Sequence, residues 1–224
     1  MNFLDQITDE KTAYAWIEQG TVEWDRIRIG RFTSSENWRL IVQPKEKIRK
    51  ISVETENYVM EKVAEVMTGQ CKQQGYAFPL VYGKEQEPIA REHFVSKTGF
   101  EVQTVGFFPY TEHAGGSPDG IVNDTAILEI KCPYDSKVML EYLMLTDQFD
   151  LKRNFREYYW QCVNNMVFTG KEFAYFVAFD PRMTKEENKM KVIEITLKSE
   201  DLDLVLEKLP LAIEEKLKLL KLLQ

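Results

Sequence analysis

Along the chain, stretches whose apolar residues recur every three to four positions alternate with stretches where they recur every two. Ser52 to Thr68 keeps Val59, Val63 and Val66 at helical spacing, and Gly69 supplies a stop. Pro88 to Thr98 predicts a second helix, with Pro88 in its first turn and Gly99 just past its end. From Phe100 to Phe108 the period shortens to two, as in a strand. Ile121-Val122, the turn pair Asn123-Asp124 and then Thr125 to Lys131 read as a β-hairpin. Arg153 to Phe168 is helical and rich in aromatics, whereas Phe173 to Phe179 and Lys191 to Leu197 are apolar strands. From Ser199 onward, Leu202, Leu206, Leu209, Ile213, Leu217 and Leu220 line one side of a helix that Pro210 is expected to interrupt. Strands in the middle and helices on the flanks predict a mixed α/β class, a central sheet flanked by helices. No repeat, low-complexity tract or linker divides the sequence, so one domain over residues 1–224 is expected.

Composition narrows the class. The chain has 224 residues, 44% of them hydrophobic, which is ordinary for a globular protein and too high for a disordered one. No stretch approaches the ~18–20 apolar residues that span a bilayer. The opening MNFLDQITDEK lacks the basic and apolar regions of a signal peptide. Cys71, Cys132 and Cys162 are scattered and build neither a disulfide framework nor a zinc ribbon. The expectation is a soluble cytoplasmic protein with no membrane partner.

Charge is uneven. The net charge is −7, yet Trp24 to Lys50 holds eight basic residues (Arg26, Arg28, Arg31, Arg39, Lys45, Lys47, Arg49, Lys50) against three acids. Trp24, Phe32 and Trp38 lie in the same block. Two readings stay open: a solvated face, or a patch for a polyanion.

The hairpin carries the chemistry. In a strand over Ala126 to Lys131, Glu129 and Lys131 share one face while Ala126, Leu128 and Ile130 share the other. A reversal centred on Asp124 places Asp119 opposite Glu129, with β-carbons ~5 Å apart. Two carboxylates that close repel unless a proton or a cation lies between them. Carboxylate oxygens with few neighbouring His or Cys suit Mg²⁺ or Mn²⁺ rather than zinc. Lys131 would orient, or help deprotonate, an attacking water. The plainer alternative is a surface hairpin with an incidental Glu/Lys pair.

Ser117-Pro118-Asp119-Gly120 followed by Leu128-Glu129-Ile130-Lys131-Cys132-Pro133-Tyr134 resembles the core motif of the PD-(D/E)xK nucleases, whose fold is restriction-endonuclease-like. More narrowly, the chain resembles the phage lambda-type alkaline exonucleases. WDRIRIGRFTSS from Trp24, GKEQE from Gly83, Gln161 within YYWQCVNNM, and YFVAFDPRM from Tyr175 fall in that family's order. These matches span residues 24–183; the strand and helix over 190–224 carry none. The resemblance implies that Asp119 and Glu129 hold metal, with the backbone carbonyl of Ile130 and the carboxylate of Glu87 completing the shell. Lys131 would hold the attacking water and Gln161 would orient the site. Arg28 and Ser35 would lie near a terminal 5′-phosphate, for which a guanidinium and a hydroxyl are apt. One departure stands out: related exonucleases often place a Tyr four residues after the helix Gln, and here that position is Asn165.

The same resemblance implies two-metal hydrolysis of duplex DNA from its ends, 5′→3′, leaving 3′ single strands for recombination. Two Mg²⁺ ions per site (Mn²⁺ as a substitute), a ring-shaped homotrimer, a single-strand annealing partner and, for a phage-encoded protein, the host-cell cytoplasm are further implications. The alternatives are a non-catalytic DNA-end-binding accessory protein and an endonuclease of the same fold.

Overall fold

The computed structural model describes residues 14–46, 48–71 and 78–223; Lys47 and the MNFLDQITDEK segment lie outside the described residues. A five-stranded mixed sheet runs in the order β2-β5-β6-β7-β8: Val102–Gln103, Gly120–Val122, Ala126–Lys131, Phe173–Phe179 and Met190–Thr196. Its strand pairs are antiparallel except β6 and β7, which run parallel. A smaller sheet joins β1 (Phe32–Thr33), β4 (Ala114–Gly116) and β3 (Phe108–Thr111).

The helices are α1 (Val22–Arg28), α2 (Val53–Thr68), α3 (Phe78–Thr98), α4 (Ser136–Leu143), α5 (Gln148–Asn154), α6 (Arg156–Thr169) and α7 (Ser199–Leu223). Alternation along the strands sorts them onto the two faces of the large sheet. Ile121, Ile127, Ala174, Phe176 and Ala178 pack under α4, α5 and α6 through Met139, Tyr142, Leu151, Tyr159 and Met166. Val122, Ala126, Leu128, Ile130, Val177 and Phe179 pack against Ala90 and Phe94 of α3. A third cluster joins α2, α7 and the small sheet through Phe32, Tyr58, Val59, Val63, Leu209 and Ala212. Among the described residues no helix is long and apolar enough to cross a membrane.

The hairpin forms as expected, with Asn123 and Asp124 both at positive φ, 48° and 56°. That conformation matches the twist of two strands joined by a tight turn, and Asn and Asp tolerate it. Ser52 caps α2 by accepting from the Thr55 N–H, and Gly69 closes it at φ 67°.

Four expectations need correction. Pro88 and Pro210 lie inside α3 and α7 rather than starting or interrupting them. Each proline lacks the N–H that would bond the carbonyl four residues earlier, at Lys84 and Leu206, and both of those residues are exposed, which leaves the helix tolerant of the loss. The helix expected over Arg153 to Phe168 breaks at Phe155, whose φ of −135° and ψ of 58° leave the helical region. Its ring packs 4.5 Å from that of Tyr142, which holds the break in place. Finally, within Phe100 to Phe108 only Val102–Gln103 pairs with the large sheet, and the segment then leaves it, Phe108 starting β3 of the smaller sheet. There the Gly106 N–H bonds to the Ala15 carbonyl at 2.6 Å, and a β-carbon on Gly106 would lie 2.2 Å from the Ile17 oxygen. The chain is pulled off the sheet by this close approach, which only glycine permits.

Candidate active site

The register of β5 and β6 pairs Gly120 with Leu128 and Ile121 with Ile127, and the Asp119 N–H continues the ladder to the Leu128 carbonyl at 3.0 Å. Asp119 therefore stands beside Glu129, as the spacing requires. Its Oδ2 accepts from the Ile130 N–H at 2.6 Å. Glu129 is fully buried, and Lys131 donates to its Oε1 at 2.7 Å. The Asn165 carboxamide of α6 donates to the second oxygen, Oε2, at 3.2 Å.

Burial, and then the charge of Asp119, push the Glu129 pKa up to about 8. Burial and Asp119 likewise raise Glu87 of α3 to about 7, against the pull of Arg91 and Lys131. Asp119 is itself raised, burial outweighing Lys131 and the Ile130 N–H. Burial works against the Lys131 ammonium, but Glu129 and Asp119 overcome it and the pKa rises. The site is thus a pocket of acids, each resisting ionisation beside the others, with Lys131 held as a cation.

Such a site fits a hard divalent cation. The donors are carboxylate and carbonyl oxygens, and excess negative charge in low dielectric is relieved by a cation. Asp119, Glu129 and the carbonyl of Ile130 are the residues that can hold it. Glu87 feels Asp119 and Lys131 electrostatically, but its carboxylate is engaged by the Arg91 guanidinium one turn further along α3. Among the described residues no group of three or more His, Cys, Asp and Glu side chains is gathered to hold an ion.

Gln161 is half-buried on α6, between Tyr158 and Asn165 at helical spacing. Both neighbours reach the site: the Lys131 ammonium lies 5.0 Å from the Tyr158 ring centroid, and Asn165 bonds Glu129. Sequence reasoning named Asn165 only as a departure and passed over Tyr158 and Arg91. The signal available was spacing, since 158, 161 and 165 share a helix face and 87 and 91 share another.

Arg28 stacks on Trp24, 3.8 Å from the ring centroid, and the Trp24 indole N–H donates to Ser117 Oγ at 3.0 Å. The α1 helix is thereby tied to the turn that presents Asp119. Ser35 is half-buried just past β1, its hydroxyl 3.5 Å from that of Thr33. The basic block as a whole is not one open patch. Arg39 is buried and paired with Glu54 and Glu61 of α2, and Arg49 pairs with Glu56. His113 faces the Lys216 ammonium at 3.2 Å rather than the acids.

A mixed sheet with an acidic hairpin at its middle and helices on both faces is the restriction-endonuclease-like architecture. Residues 23–172 match the YqaJ-like viral recombinase domain. The chain belongs to that family, the lambda exonuclease family. It is similar to the alkaline exonuclease LHK-Exo of Laribacter hongkongensis, at 25% identity and TM-score 0.75 over 91% of this chain and 96% of that one. The same enzyme in complex with dAMP aligns at 24% identity and TM-score 0.77, with the same coverage of both chains. A phage-related exonuclease from Haemophilus somnus 129PT shares the fold at 15% identity and TM-score 0.72, over 87% of this chain and 96% of that one. Comparison with curated proteins gives no match.

Proposed function

We propose that this chain is a metal-dependent exonuclease that hydrolyses duplex DNA from its ends, 5′→3′, leaving 3′ single strands for recombination. The observation that carries the reading is the apposition of Asp119, Glu129 and Lys131 on one hairpin. Asp119, Glu129, the Ile130 carbonyl and Glu87 would hold Mg²⁺, two ions per site, with Mn²⁺ as a substitute. Bound there, the ions supply Lewis acidity toward the attacking water and the departing 3′-oxygen. Lys131, which donates to Glu129 Oε1 beside Asp119, would orient the attacking water or help deprotonate it. Gln161 lies between two residues that touch the site and would orient it from α6. Arg28, preorganised on Trp24, and Ser35 would take the terminal 5′-phosphate through charge-assisted hydrogen bonds. The dAMP held by LHK-Exo fits release of nucleoside monophosphates.

In this reading residues 1–224 act as one nuclease domain in the cytoplasm, assembled as a ring-shaped homotrimer and supplying single strands to an annealing protein. The test uses linear duplex with 5′-phosphorylated ends and the same sequence as a covalently closed circle, each with Mg²⁺ and with EDTA. Loss of the linear DNA alone, dependent on Mg²⁺ and abolished by Lys131→Ala, is the expected result. Cutting of the circle would replace the reading with an endonuclease. Survival of both DNAs, with end binding in a gel shift, would leave a non-catalytic end-binding protein.

A further inference from the structure

Beneath Glu129 lies a small polar cluster that the hydrolysis itself does not use. Asn165 and Ser34 are buried, at 0% and 2% exposure. The Asn165 amide donates to Glu129 Oε2, but its Oδ1 has no hydrogen-bond partner, and neither has Ser34 Oγ. Both oxygens crowd the same glycine: a β-carbon on Gly116 would lie 2.2 Å from Ser34 Oγ and 2.3 Å from Asn165 Oδ1. Gly116 ends β4, and the Ser34 N–H bonds to the neighbouring Gly115 carbonyl at 3.3 Å, which places the hydroxyl there.

We propose that Ser34 and Asn165 form a buried relay that positions Glu129, with Gly116 kept free of a side chain to accommodate it. The inference rests on the reading of Glu129 as a metal-holding carboxylate. A carboxamide oxygen only accepts, and the Ser34 hydroxyl, a donor on the same side of Gly116 that makes no direct hydrogen bond to it, would reach it through one buried water. That donor decides which way the amide faces. With Oδ1 turned to Ser34, the NH₂ group must point at Glu129; reversed, two acceptors would meet at the carboxylate. Lys131 holds Oε1 and Asn165 holds Oε2, so the carboxylate cannot rotate, and its remaining lone pairs are presented beside Asp119. Asn165 and Ser34 are positioning residues, because each acts only through Glu129.

The test is titration calorimetry with Mg²⁺ alone, and again with Mn²⁺, on the DNA-free protein. Wild type, Asn165→Ala, Ser34→Ala and the double variant are compared. Asn165→Ala should weaken metal affinity about 10–100-fold, the usual effect of removing a partner that orients a ligand. Ser34→Ala should weaken it in the same direction. The double variant should bind no more weakly than Asn165→Ala, because Ser34 works through Asn165 and the losses do not add. Affinity equal to wild type in either single variant, or fully additive losses, would overturn the relay while leaving the nuclease reading intact. Failure of wild type to bind either ion would overturn the metal-holding reading and the relay with it. If Asn165→Ala does not fold, Ser34→Ala decides the matter alone, since it removes one hydroxyl and opens almost no space.

Discussion

Arg39 is a basic residue whose charge is already spent inside the fold, and replacing it separates packing from DNA contact. Its side chain is 9% exposed, and the guanidinium pairs with both oxygens of Glu61 at 3.0 and 3.2 Å, with Glu54 on its Nε side, and lies 4.7 Å from the Tyr58 ring centroid. Removing one member of a fully buried ion pair costs about 3–5 kcal/mol. Here the carboxylates of Glu54 and Glu61 are 38% and 31% exposed, so both regain water once unpaired. We expect Arg39→Ala to cost about 2–3 kcal/mol after that allowance. For a chain of this length ~1 kcal/mol shifts Tm by about 2–4 °C, so Tm should fall by about 4–12 °C. The assay pairs a thermal melt with duplex binding across a salt series. The slope of affinity against salt should match wild type, because no phosphate contact is lost. A Tm within ~1 °C of wild type, together with a slope shallower by about one contact, would refute the assignment and return Arg39 to the DNA surface.

Lys131→Ala should lower turnover on linear duplex by about 10²–10³-fold with the fold retained, as expected for loss of one preorganised donor at the reacting centre, measured by steady-state digestion. Arg28→Ala should cut the preference for 5′-phosphorylated over 5′-hydroxyl ends by about tenfold or more, since a hydrogen bond to a charged group is worth about 1.5–3 kcal/mol; equal losses on both ends would oppose that role. In EDTA, stability should fall as pH rises from about 5 to 8. Glu129 and Glu87 ionise near 4.5 when unfolded but at about 8 and about 7 when folded, so in this window the folded state binds more protons and rising pH favours unfolding. Glu129→Gln should flatten the profile, and melts of the two proteins at pH 5.5 and 8 decide it.

The hairpin was legible because every signal there is local. Period-two alternation, a turn pair that tolerates positive φ, and an acid spaced to meet Glu129 all lie within a dozen residues, and the register fulfils them. The ends of α2 were legible for the same reason, through Ser52 and Gly69. What failed depended on distant chain. Pro88 looks like a helix start until the turns before it are seen, and Phe155 breaks its helix against a ring on α4. Phe100 to Phe108 has the alternation of a strand, but Gly106 is captured by the backbone near Ile17. In the site, Asp119, Glu129 and Lys131 could be read from one segment. For Asn165, Tyr158 and Arg91, helical spacing shows only that they share a face with Gln161 or Glu87; what that face meets is set where α6 and α3 cross the sheet.

The parallel junction of β6 and β7 ties activity to the completeness of folding. Antiparallel β5 can join β6 through a tight turn, but β7 reaches it only after the whole segment from Cys132 to Glu172 has been laid over one face. Long-range parallel pairing of this kind is intrinsically slow. Until it is made, Glu129 lacks both its β7 neighbour Phe176 and the Asn165 contact, so an incompletely folded chain carries the acids without the arrangement that holds them. Recovery of nuclease activity during refolding should therefore track the closure of this crossover rather than the earlier appearance of the hairpin.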